Sequence, residues 1–133
     1  MRVLVTGSRD WTDAGTIQTA LNAVYSSWKP TRTEFEHFIV VHGDARGTDN
    51  IARQWALSAH QYDHWVVHEP HPAKWEDLGR SAGHKRNAEM VNLGADICLA
   101  FPLGRSPGTR GCMKLAKKAG ISMRQFPPKQ GFR

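Results

Sequence analysis

The sequence contains only two cysteines, Cys98 and Cys112, among 133 residues. Two cysteines do not make a disulfide framework, and no set of Cys and His residues has the spacing of a structural zinc site. Four histidines lie between residues 60 and 71, but the pattern changes from helix to strand there, so their spacing does not place them on one face. The sequence therefore predicts a domain that is stabilised by its apolar core, with no metal and no cofactor.

The sequence also lacks an apolar run long enough to cross a bilayer, and its first residues pass directly into a strand-like pattern. A membrane-spanning helix needs about 20 apolar residues, and a signal peptide needs a longer apolar stretch with a cleavage site. Hydrophobic residues make up 40% and charged residues 23% of the chain, which are ordinary values for a globular protein. We therefore expect a soluble, cytoplasmic protein that does not bind membranes.

Acidic residues are absent from residues 97–133, a segment that contains eight Lys and Arg residues. Because the whole chain carries a formal charge of +6, the first 96 residues sum to −2. A basic C-terminal third indicates an anionic ligand or a nucleic-acid surface, and its plainer interpretation is a solvated basic helix face. The length fits one domain, since domains commonly contain about 100–150 residues.

Short apolar runs rich in β-branched residues alternate with helical patterns along the chain. They predict strands at residues 2–6, 38–41, 65–67, 97–101 and 121–126, and helices near residues 13–28, 51–59, 79–94 and 108–120. The strands are continuous apolar runs, as expected when helices cover both faces of a parallel sheet. The sequence thus predicts an α/β fold, a single Rossmann-like three-layer domain over residues 1–133 with a mainly parallel sheet of about five strands. The first helix carries an apolar stripe of Ile17, Ala20, Leu21, Val24 and Trp28.

The sequence lacks both the GxGxxG dinucleotide motif and the GxxxxGK[ST] P-loop, yet three strand ends are rich in Gly, Arg, Asp and hydroxyl side chains. Ligands of parallel sheets bind beyond the carboxyl ends of the strands, where glycine and a helix start favour a phosphate. Arg9, Arg46 or Arg105 are candidates to pair with phosphate oxygens, and Asp44 or Asp49 to accept from ribose hydroxyls. Turn and cap requirements would explain any single loop. The candidate ligand-binding residues of these loops are Gly7, Ser8, Arg9, His42, Gly43, Asp44, Ala45, Arg46, Gly47, Asp49, Pro102, Gly104, Ser106, Gly108 and Thr109.

The predicted third helix adds Gly83, Arg86 and Asn87, which share one face with apolar residues of the same helix. An arginine on the inward side of a helix needs an anion to offset its desolvation, so Arg86 is a candidate ligand-binding residue. The alternative is an arginine that reaches solvent or pairs with Glu89 or Asp96.

Trp75 follows a proline-rich loop and is a further candidate, because an aromatic face can stack on any nucleobase. Packing in the core or in a lid is the alternative role for this side chain.

In combination, these residues resemble the SLOG superfamily, whose members include DprA-like and LOG-like proteins, and most closely its YspA/YpsA-related branch of short, stand-alone domains. The resemblance extends from residue 3 to about residue 121, and it implies a Rossmann-like fold that binds nucleotides or nucleotide-derived ligands, with a homodimer as the expected assembly. The matching stretches are Val5-Thr6-Gly7-Ser8-Arg9, residues 41–49, Trp75 with Gly79 and Ala82-Gly83, Arg86-Asn87 with Met90, and Gly108-Thr109.

LOG proteins are phosphoribohydrolases that remove the base from a nucleoside monophosphate with an Arg and a Glu from two motifs. Arg86-Asn87 resembles the first motif, with Asn where those enzymes commonly have Lys. The second motif ends in Gly-Thr-x-x-Glu, whereas Cys112 follows Gly108-Thr109 at the position of the glutamate. The resemblance therefore implies phosphate binding, and the hydrolase chemistry would need another carboxylate.

The leading prediction is a protein that binds a nucleotide or a nucleotide-derived ligand and senses, sequesters or processes it. Its phosphate would lie on the loops of residues 43–47 and 104–109, assisted by Arg86 and Arg9. One alternative is a LOG-like phosphoribohydrolase or related nucleotide hydrolase, with Arg86 as a catalytic candidate and with Asp44, Asp49 or Glu89 supplying the carboxylate. The other alternative is a DprA-like DNA-binding module, suggested by the basic C-terminal segment.

Overall fold

Five parallel strands form one sheet in a computed structural model that describes residues 1–129. The strands are β1 (Arg2–Gly7), β2 (Phe38–His42), β3 (Val66–Pro70), β4 (Ile97–Phe101) and β5 (Ser122–Gln125). The helices are α1 (Ala14–Trp28), α2 (Thr48–His60), α3 (Trp75–Leu78), α4 (Ala82–Asn92) and α5 (Pro107–Lys118), with 3-10 turns at Lys29–Thr31 and Gly79–Ser81. The spatial order is β3-β2-β1-β4-β5, and each neighbouring pair is parallel.

Strand β1 lies at the centre of the sheet, where Val3 is opposite Val40 of β2 and Ile97 of β4. All of β4 is buried, as are Val3 to Thr6 of β1. Burial on both faces explains why these strands are continuous apolar runs in the sequence.

The two faces of the sheet pack against different helices. Val3 and Val5 belong to a core cluster with α1 and α2, whereas Leu4 belongs to a second cluster with Met90 of α4 and Cys112 of α5. Successive residues of a strand point to opposite faces, so β1 contributes to both clusters. All five residues of the predicted stripe in α1 are buried. The predicted α/β, Rossmann-like three-layer fold is therefore confirmed.

Some predicted boundaries differ from the structure. The helix predicted near residues 79–94 is interrupted, because Gly79 adopts a φ of +60° and ends α3, and the regular helix α4 begins only at Ala82. Strand β3 begins at Val66 and continues to Pro70, which is tolerated because β3 is an edge strand. The last four residues of the domain predicted over residues 1–133 lie outside the described part of the chain.

The chain leaves β1 and β4 in opposite directions. Strand β1 leads to α1 on one face, and β4 leads to α5 on the other face. A crevice opens between neighbouring strands at such a reversal, beyond their carboxyl ends. Within residues 1–129, no helix is long and apolar enough to span a membrane.

Candidate functional site

A cleft of about 730 Å³ lies at the carboxyl ends of β1 and β4. It receives residues from the loop after each of these strands, from the loop before α2, and from α3, α4 and α5. The cleft brings together most of the predicted ligand-binding residues: Gly7, Ser8, Arg9, Ala45, Arg46, Asp49, Trp75, Gly83, Arg86, Asn87, Ser106, Gly108 and Thr109.

A smaller adjoining lobe of about 310 Å³ adds Gly43 and Asp44 to the residues around the cleft. His42, Gly47, Pro102 and Gly104 do not line either space. Gly47 instead allows two loops to meet, since its φ is +73° and a Cβ there would lie 2.5 Å from the carbonyl carbon of Arg9.

The guanidinium group of Arg86 is fixed by hydrogen bonds to backbone and side-chain oxygens. Its Nη1 donates to the carbonyl oxygens of Gly43 and His71, the latter at 3.3 Å, and its Nε donates to Oδ1 of Asn87 at 2.8 Å. Gly43 must lack a side chain here, because a Cβ would lie 2.5 Å from Cζ of Arg86. Nη2 makes no hydrogen bond within residues 1–129, so it stays available at the cleft.

Arg86 does not form the ion pairs considered as an alternative. Asp96 accepts a hydrogen bond from the backbone N–H of Arg2 at 2.6 Å, and Oε1 of Glu89 lies 3.5 Å from Nδ1 of His71. Burial lowers the pKa of Arg86, while the nearby Asp49 raises it. The inward arginine is thus held by carbonyl and amide oxygens, near a buried carboxylate at the base of the cleft.

That carboxylate organises the loop before α2. Oδ2 of Asp49 accepts from the N–H groups of Gly43 at 3.1 Å and Ala45 at 3.3 Å, and the N–H of Asp44 donates to Nδ1 of His42 at 3.0 Å. These three amides therefore have acceptors inside the protein. In this structure they are not free donors at the cleft, and phosphate binding by the loop of residues 43–47 stays a prediction. Burial raises the pKa of Asp49 to about 6. The backbone hydrogen bonds and the nearby Arg86 favour the charged form and lower the pKa, but their effect is smaller.

His42 is fully buried beneath this loop and stacks on His68, with ring centroids 5.2 Å apart. Nε2 of His42 lies 3.0 Å from Nδ1 of His68. Burial and the neighbouring His68 lower the pKa of His42 to about 4. A neutral imidazole with its proton on Nε2 accepts from Asp44 and donates to His68, so His42 positions the loop from below.

The start of α5 offers free backbone donors to the cleft. Ser106 is in the left-handed region, with a φ of 36°, and its Oγ bonds the N–H and carbonyl of Leu103 instead of capping the helix. Pro107 follows as the first helical residue. The N–H groups of Gly108 and Thr109 come next and have no acceptor within the described residues, as is usual in a first helical turn.

Asn87 joins two helices of the site. Its Nδ2 donates to the carbonyl oxygen of Gly108 at 3.2 Å while its Oδ1 accepts from Arg86. The arginine of α4 and the first turn of α5 therefore keep a fixed relative position, because one nearly buried amide side chain binds both.

Trp75 lies at the mouth of the cleft and is 47% exposed. Cζ of Arg9 lies 5.2 Å from the centroid of its ring, which is the geometry of a cation–π contact. A Cβ at Gly83 would approach Cη2 of the ring to 3.1 Å, so the absence of a side chain at Gly83 leaves space for the indole. Trp75 is therefore neither a core residue nor free of contacts.

Several lining residues were not among those predicted. Asp10 follows Arg9, and its Oδ1 lies 3.5 Å from Nη2 of Arg46, so the loop after β1 meets the loop before α2 at the cleft. His84 and Leu103 also line the cleft, while Pro72 lines the smaller lobe. Only their position in the sequence could have identified these residues as part of the site. Each of them lies in a loop at the same sheet edge or next to a predicted site residue.

Within residues 1–129, no group of three His, Cys, Asp or Glu side chains is placed to hold a metal ion. Cys112, which occupies the position of the LOG glutamate, is fully buried in the core on the α4 and α5 side of the sheet. Burial raises the pKa of its thiol. The first turn of α5 thus brings no carboxylate to the cleft.

Comparisons with known proteins agree with this architecture. A model of the YspA, cpYpsA-related SLOG family matches residues 1–77. The Gene 61 protein of Mycobacterium phage D29 is 50% identical over 128 residues, which cover 96% of this chain and 98% of that protein. No solved structure matches the chain. The match over more than half of the chain, with a relative of nearly equal length, makes this protein a member of the YspA, cpYpsA-related SLOG family.

Proposed function

We propose that the cleft binds a nucleotide or a nucleotide-derived ligand, which the protein senses, sequesters or processes. The observation that carries the proposal is the meeting of free helix-start amides and arginine side chains in one cleft at the reversal between β1 and β4. The family assignment supports a nucleotide-related Rossmannoid domain. The volume of about 730 Å³ is typical of small-molecule sites.

The phosphate of the ligand is expected at the first turn of α5. The N–H groups of Gly108 and Thr109 are free there, and the helix dipole favours negative charge. Nη2 of Arg86 and the exposed side chain of Arg105 supply positive charge at the same cleft. The sequence-based prediction placed the phosphate on the loop of residues 43–47 as well. We expect this loop to contribute the side chain of Arg46 instead, because the N–H groups at its start are hydrogen-bonded within the protein.

The nucleobase is expected on the indole of Trp75. The ring is half exposed, and Arg9 is on one of its sides. Stacking on an aromatic ring is tolerant of base identity, so this contact supports affinity for a nucleotide without selecting one base.

Isothermal titration with AMP, GMP, CMP and UMP tests the proposal. We expect saturable binding of at least one of them, and a loss of about 10-fold or more for Arg86→Ala, since a charged hydrogen bond contributes about 1.5–3 kcal/mol. Arg105→Ala removes a cleft cation from an exposed position and should weaken binding without affecting the fold. Lys118→Ala removes the same charge from the far end of α5 and should leave affinity unchanged. No saturable binding, or equal effects of Arg105→Ala and Lys118→Ala, would contradict the proposal.

A second candidate function is hydrolysis of the N-glycosidic bond of a nucleoside monophosphate. Asp49 favours it, because a buried carboxylate with a raised pKa lines the cleft near Arg86. Chromatography tests this candidate by detecting the free base and ribose phosphate that the reaction would release. Loss of release in Asp49→Asn but not in Asp44→Asn would assign the carboxylate to Asp49, whereas absence of release in the unaltered protein would exclude the reaction for that substrate.

A DNA-binding function is the third candidate. Arg110, Lys114, Lys117 and Lys118 are exposed on α5, and none of them forms a salt bridge within the described residues. DNA binding through these residues should weaken steeply with salt, because counterion release supplies much of the affinity. A fluorescence anisotropy titration with a labelled single strand at 50 and 200 mM salt measures this slope. Undetectable or salt-independent binding would exclude this function.

A further inference from the structure

The chain continues after β5 with residues 126–129, which connect the end of β4 to the start of α1 and which we call the strap. The N–H of Phe126 donates to the carbonyl oxygen of Ala100, near the end of β4, at 2.9 Å. The N–H of Lys129 donates to Oδ2 of Asp13, the residue before α1, at 2.8 Å. Two prolines separate these attachments, and proline restricts the backbone. The strap is therefore a short, stiff connection that is fixed at both of its ends.

The ring of Phe126 belongs to a row of three aromatic side chains. It stacks on Phe101, with ring centroids 5.2 Å apart, and Phe101 meets the ring of Trp11 edge to face at 5.4 Å. Phe101 and Trp11 are both buried. Nε1 of Trp11 in turn donates to the carbonyl oxygen of Asp13 at 2.8 Å. The strap, the three rings and Asp13 thus form a closed circuit of contacts.

Two loops of the cleft begin at residues of this circuit. The loop after β1 contains Ser8 and Arg9 and reaches Trp11, and the loop after β4 begins directly after Phe101 and contains Leu103. The N–H of Ser8 donates to the carbonyl oxygen of Phe101 at 2.9 Å, and the N–H of Trp11 donates to the carbonyl oxygen of Ser8 at 3.4 Å. Both loops are therefore attached to groups that the strap contacts.

Asp13 is a buried carboxylate that binds α1 and the strap at once. Oδ1 accepts from the N–H of Thr16 at 3.3 Å, and Oδ2 accepts from the Thr16 hydroxyl and from the N–H of Lys129. Burial raises the pKa of Asp13, but the hydrogen bonds from Lys129 and Thr16 outweigh burial and lower the pKa overall. The acceptor is therefore charged, and hydrogen bonds to a charged acceptor are strong. The bonds to Thr16 already cap α1, so the bond to Lys129 adds a hold on the strap.

We propose that Phe126 and Lys129 are positioning residues of the cleft, which hold the loops after β1 and β4 in the arrangement that binds the ligand. Neither residue lines the cleft, so both act through Trp11, Phe101 and Asp13. The expected effect on affinity rests on the proposed nucleotide binding. The expected effect on the loops does not depend on any ligand.

Hydrogen–deuterium exchange with mass spectrometry tests the hold on the loops in the ligand-free protein. Lys129→Pro removes the N–H that Asp13 accepts, and Phe126→Ala removes the ring that stacks on Phe101. In both variants the amides of residues 8–11 should exchange about 5-fold or more faster than in the unaltered protein, because lost contacts favour local opening. Lys129→Ala keeps the backbone N–H and should have a smaller effect than Lys129→Pro.

Met123→Ala is the matched control on the same edge strand. Met123 packs against the core cluster on the α4 and α5 side of the sheet, whereas Phe126 packs against the cluster on the other side. Truncation of Met123 destabilises β5 without removing a contact of the strap. It should leave the exchange of residues 8–11 and the affinity for a nucleotide unchanged, at a temperature where urea denaturation shows every variant to be folded.

Isothermal titration measures the consequence for binding. The probe is whichever of AMP, GMP, CMP and UMP binds the unaltered protein most tightly. Lys129→Pro and Phe126→Ala should each weaken its binding by about 3-fold or more, because changes in residues that do not touch the ligand can alter affinity through their contacts. Phe126→Leu keeps an apolar side chain against Phe101 and should retain most of the affinity.

The outcomes separate this inference from the proposed function. Unchanged exchange of residues 8–11 in Lys129→Pro and Phe126→Ala, or an equal increase in Met123→Ala, overturns the inference and leaves nucleotide binding in place. Faster exchange with unchanged affinity overturns the positioning role. If no mononucleotide binds the unaltered protein, the proposed function fails for these ligands, and the exchange rates still decide whether the strap holds the loops.

Discussion

The side chain of Arg86 occupies the space that a side chain at Gly43 would need. A Cβ on Gly43 would lie 2.5 Å from Cζ of the guanidinium, and Nη1 of Arg86 donates to the carbonyl oxygen of the same glycine. The arginine and the glycine are 43 positions apart in the chain, so the contact joins α4 to the loop after β2. The geometry of the cleft therefore depends on the absence of a side chain at Gly43.

Gly43→Ala should destabilise the protein and weaken nucleotide binding together. The added methyl displaces a guanidinium that is held by several hydrogen bonds, and overpacking of this kind costs about 1–3 kcal/mol. Urea denaturation measures the loss of stability, and titration with the best-binding mononucleotide measures the loss of affinity.

Gly111→Ala is the matched control for that variant. Gly111 lies inside α5, and a Cβ there would have no neighbour within 4 Å. Alanine in a helix interior is favoured over glycine by roughly 0.5–1 kcal/mol, so this variant should be more stable. Equal destabilisation by the two alanines would contradict the steric role of Gly43.

Asp49 should make the protein less stable as pH rises through the acid range. Its pKa in the folded state is about 6, above the value of about 4 for an unperturbed carboxyl group. Between these values the folded protein binds more protons than the unfolded chain, so stability falls with increasing pH. Asp49→Asn removes this contribution. The difference in unfolding free energy between variant and unaltered protein should shift by about 2–3 kcal/mol in favour of the variant between pH 3.5 and pH 7.

Urea titrations at several pH values measure this difference in unfolding free energy. The effect of the amide in Asp49→Asn on stability is the same at each pH, so it cancels when values at two pH values are subtracted. Asp10→Asn is the control, because Asp10 is exposed and bonds only Arg46 loosely. If Asp49→Asn keeps the pH profile of the unaltered protein, the carboxylate is not desolvated as described.

His42 should make the protein less stable as pH falls, which is the opposite of the effect of Asp49. Burial lowers its pKa to about 4, below the value of about 6.5 in the unfolded chain. The unfolded chain then binds more protons between pH 4 and pH 6.5, so this contribution to stability is lost as pH falls through that range. His42→Asn retains an oxygen acceptor for the N–H of Asp44 and should reduce the loss of stability on acidification by about 2–3 kcal/mol. His64→Asn, at an exposed position, should not change the profile.

The fold was predictable because its signals are local. Each strand of the sheet is a short apolar run, and the stripe from Ile17 to Trp28 repeats with the helical period, so element type and layer follow from a few neighbouring residues. The break between α3 and α4 was not predicted, because Gly79 alone does not reveal whether a helix continues through it or ends. The homodimer stays a prediction.

The position of the cleft was predictable from topology, but its hydrogen bonds were not. Parallel strands place their following loops at one sheet edge, which is why the Arg9, Arg46 and Thr109 loops meet. The loop amides of Gly43 and Ala45 looked available because the sequence does not show that Asp49 turns back to accept from them. The orientation of the Asp49 side chain decides this, and it is set by the tertiary structure around the loop.

The thiols of Cys98 and Cys112 should not react in the folded protein. Both side chains are fully buried, and burial raises the pKa of Cys98 to about 12. The thiolate is the nucleophile, so a buried neutral thiol is inert. Mass spectrometry after brief exposure to iodoacetamide at pH 8 should find the folded protein unmodified, and the urea-unfolded protein modified twice. Rapid labelling of Cys112 in the folded state would show that the first turns of α5 open frequently.

Trp75 should contribute to nucleotide affinity through stacking. Removal of a base-stacking aromatic side chain costs about 1–3 kcal/mol, so Trp75→Ala should weaken binding by about 5- to 150-fold. Trp75→Phe keeps a smaller ring and should lose less. Tyr62→Ala is the matched control, since Tyr62 is an aromatic residue that is 92% exposed and lies outside the cleft. Stability should change little in any of the three variants, because Trp75 lies outside both core clusters and is half exposed. Equal nucleotide affinities of Trp75→Ala and Tyr62→Ala would show that the nucleobase does not stack on Trp75. The indole would then contact Arg9 without contributing to nucleotide binding.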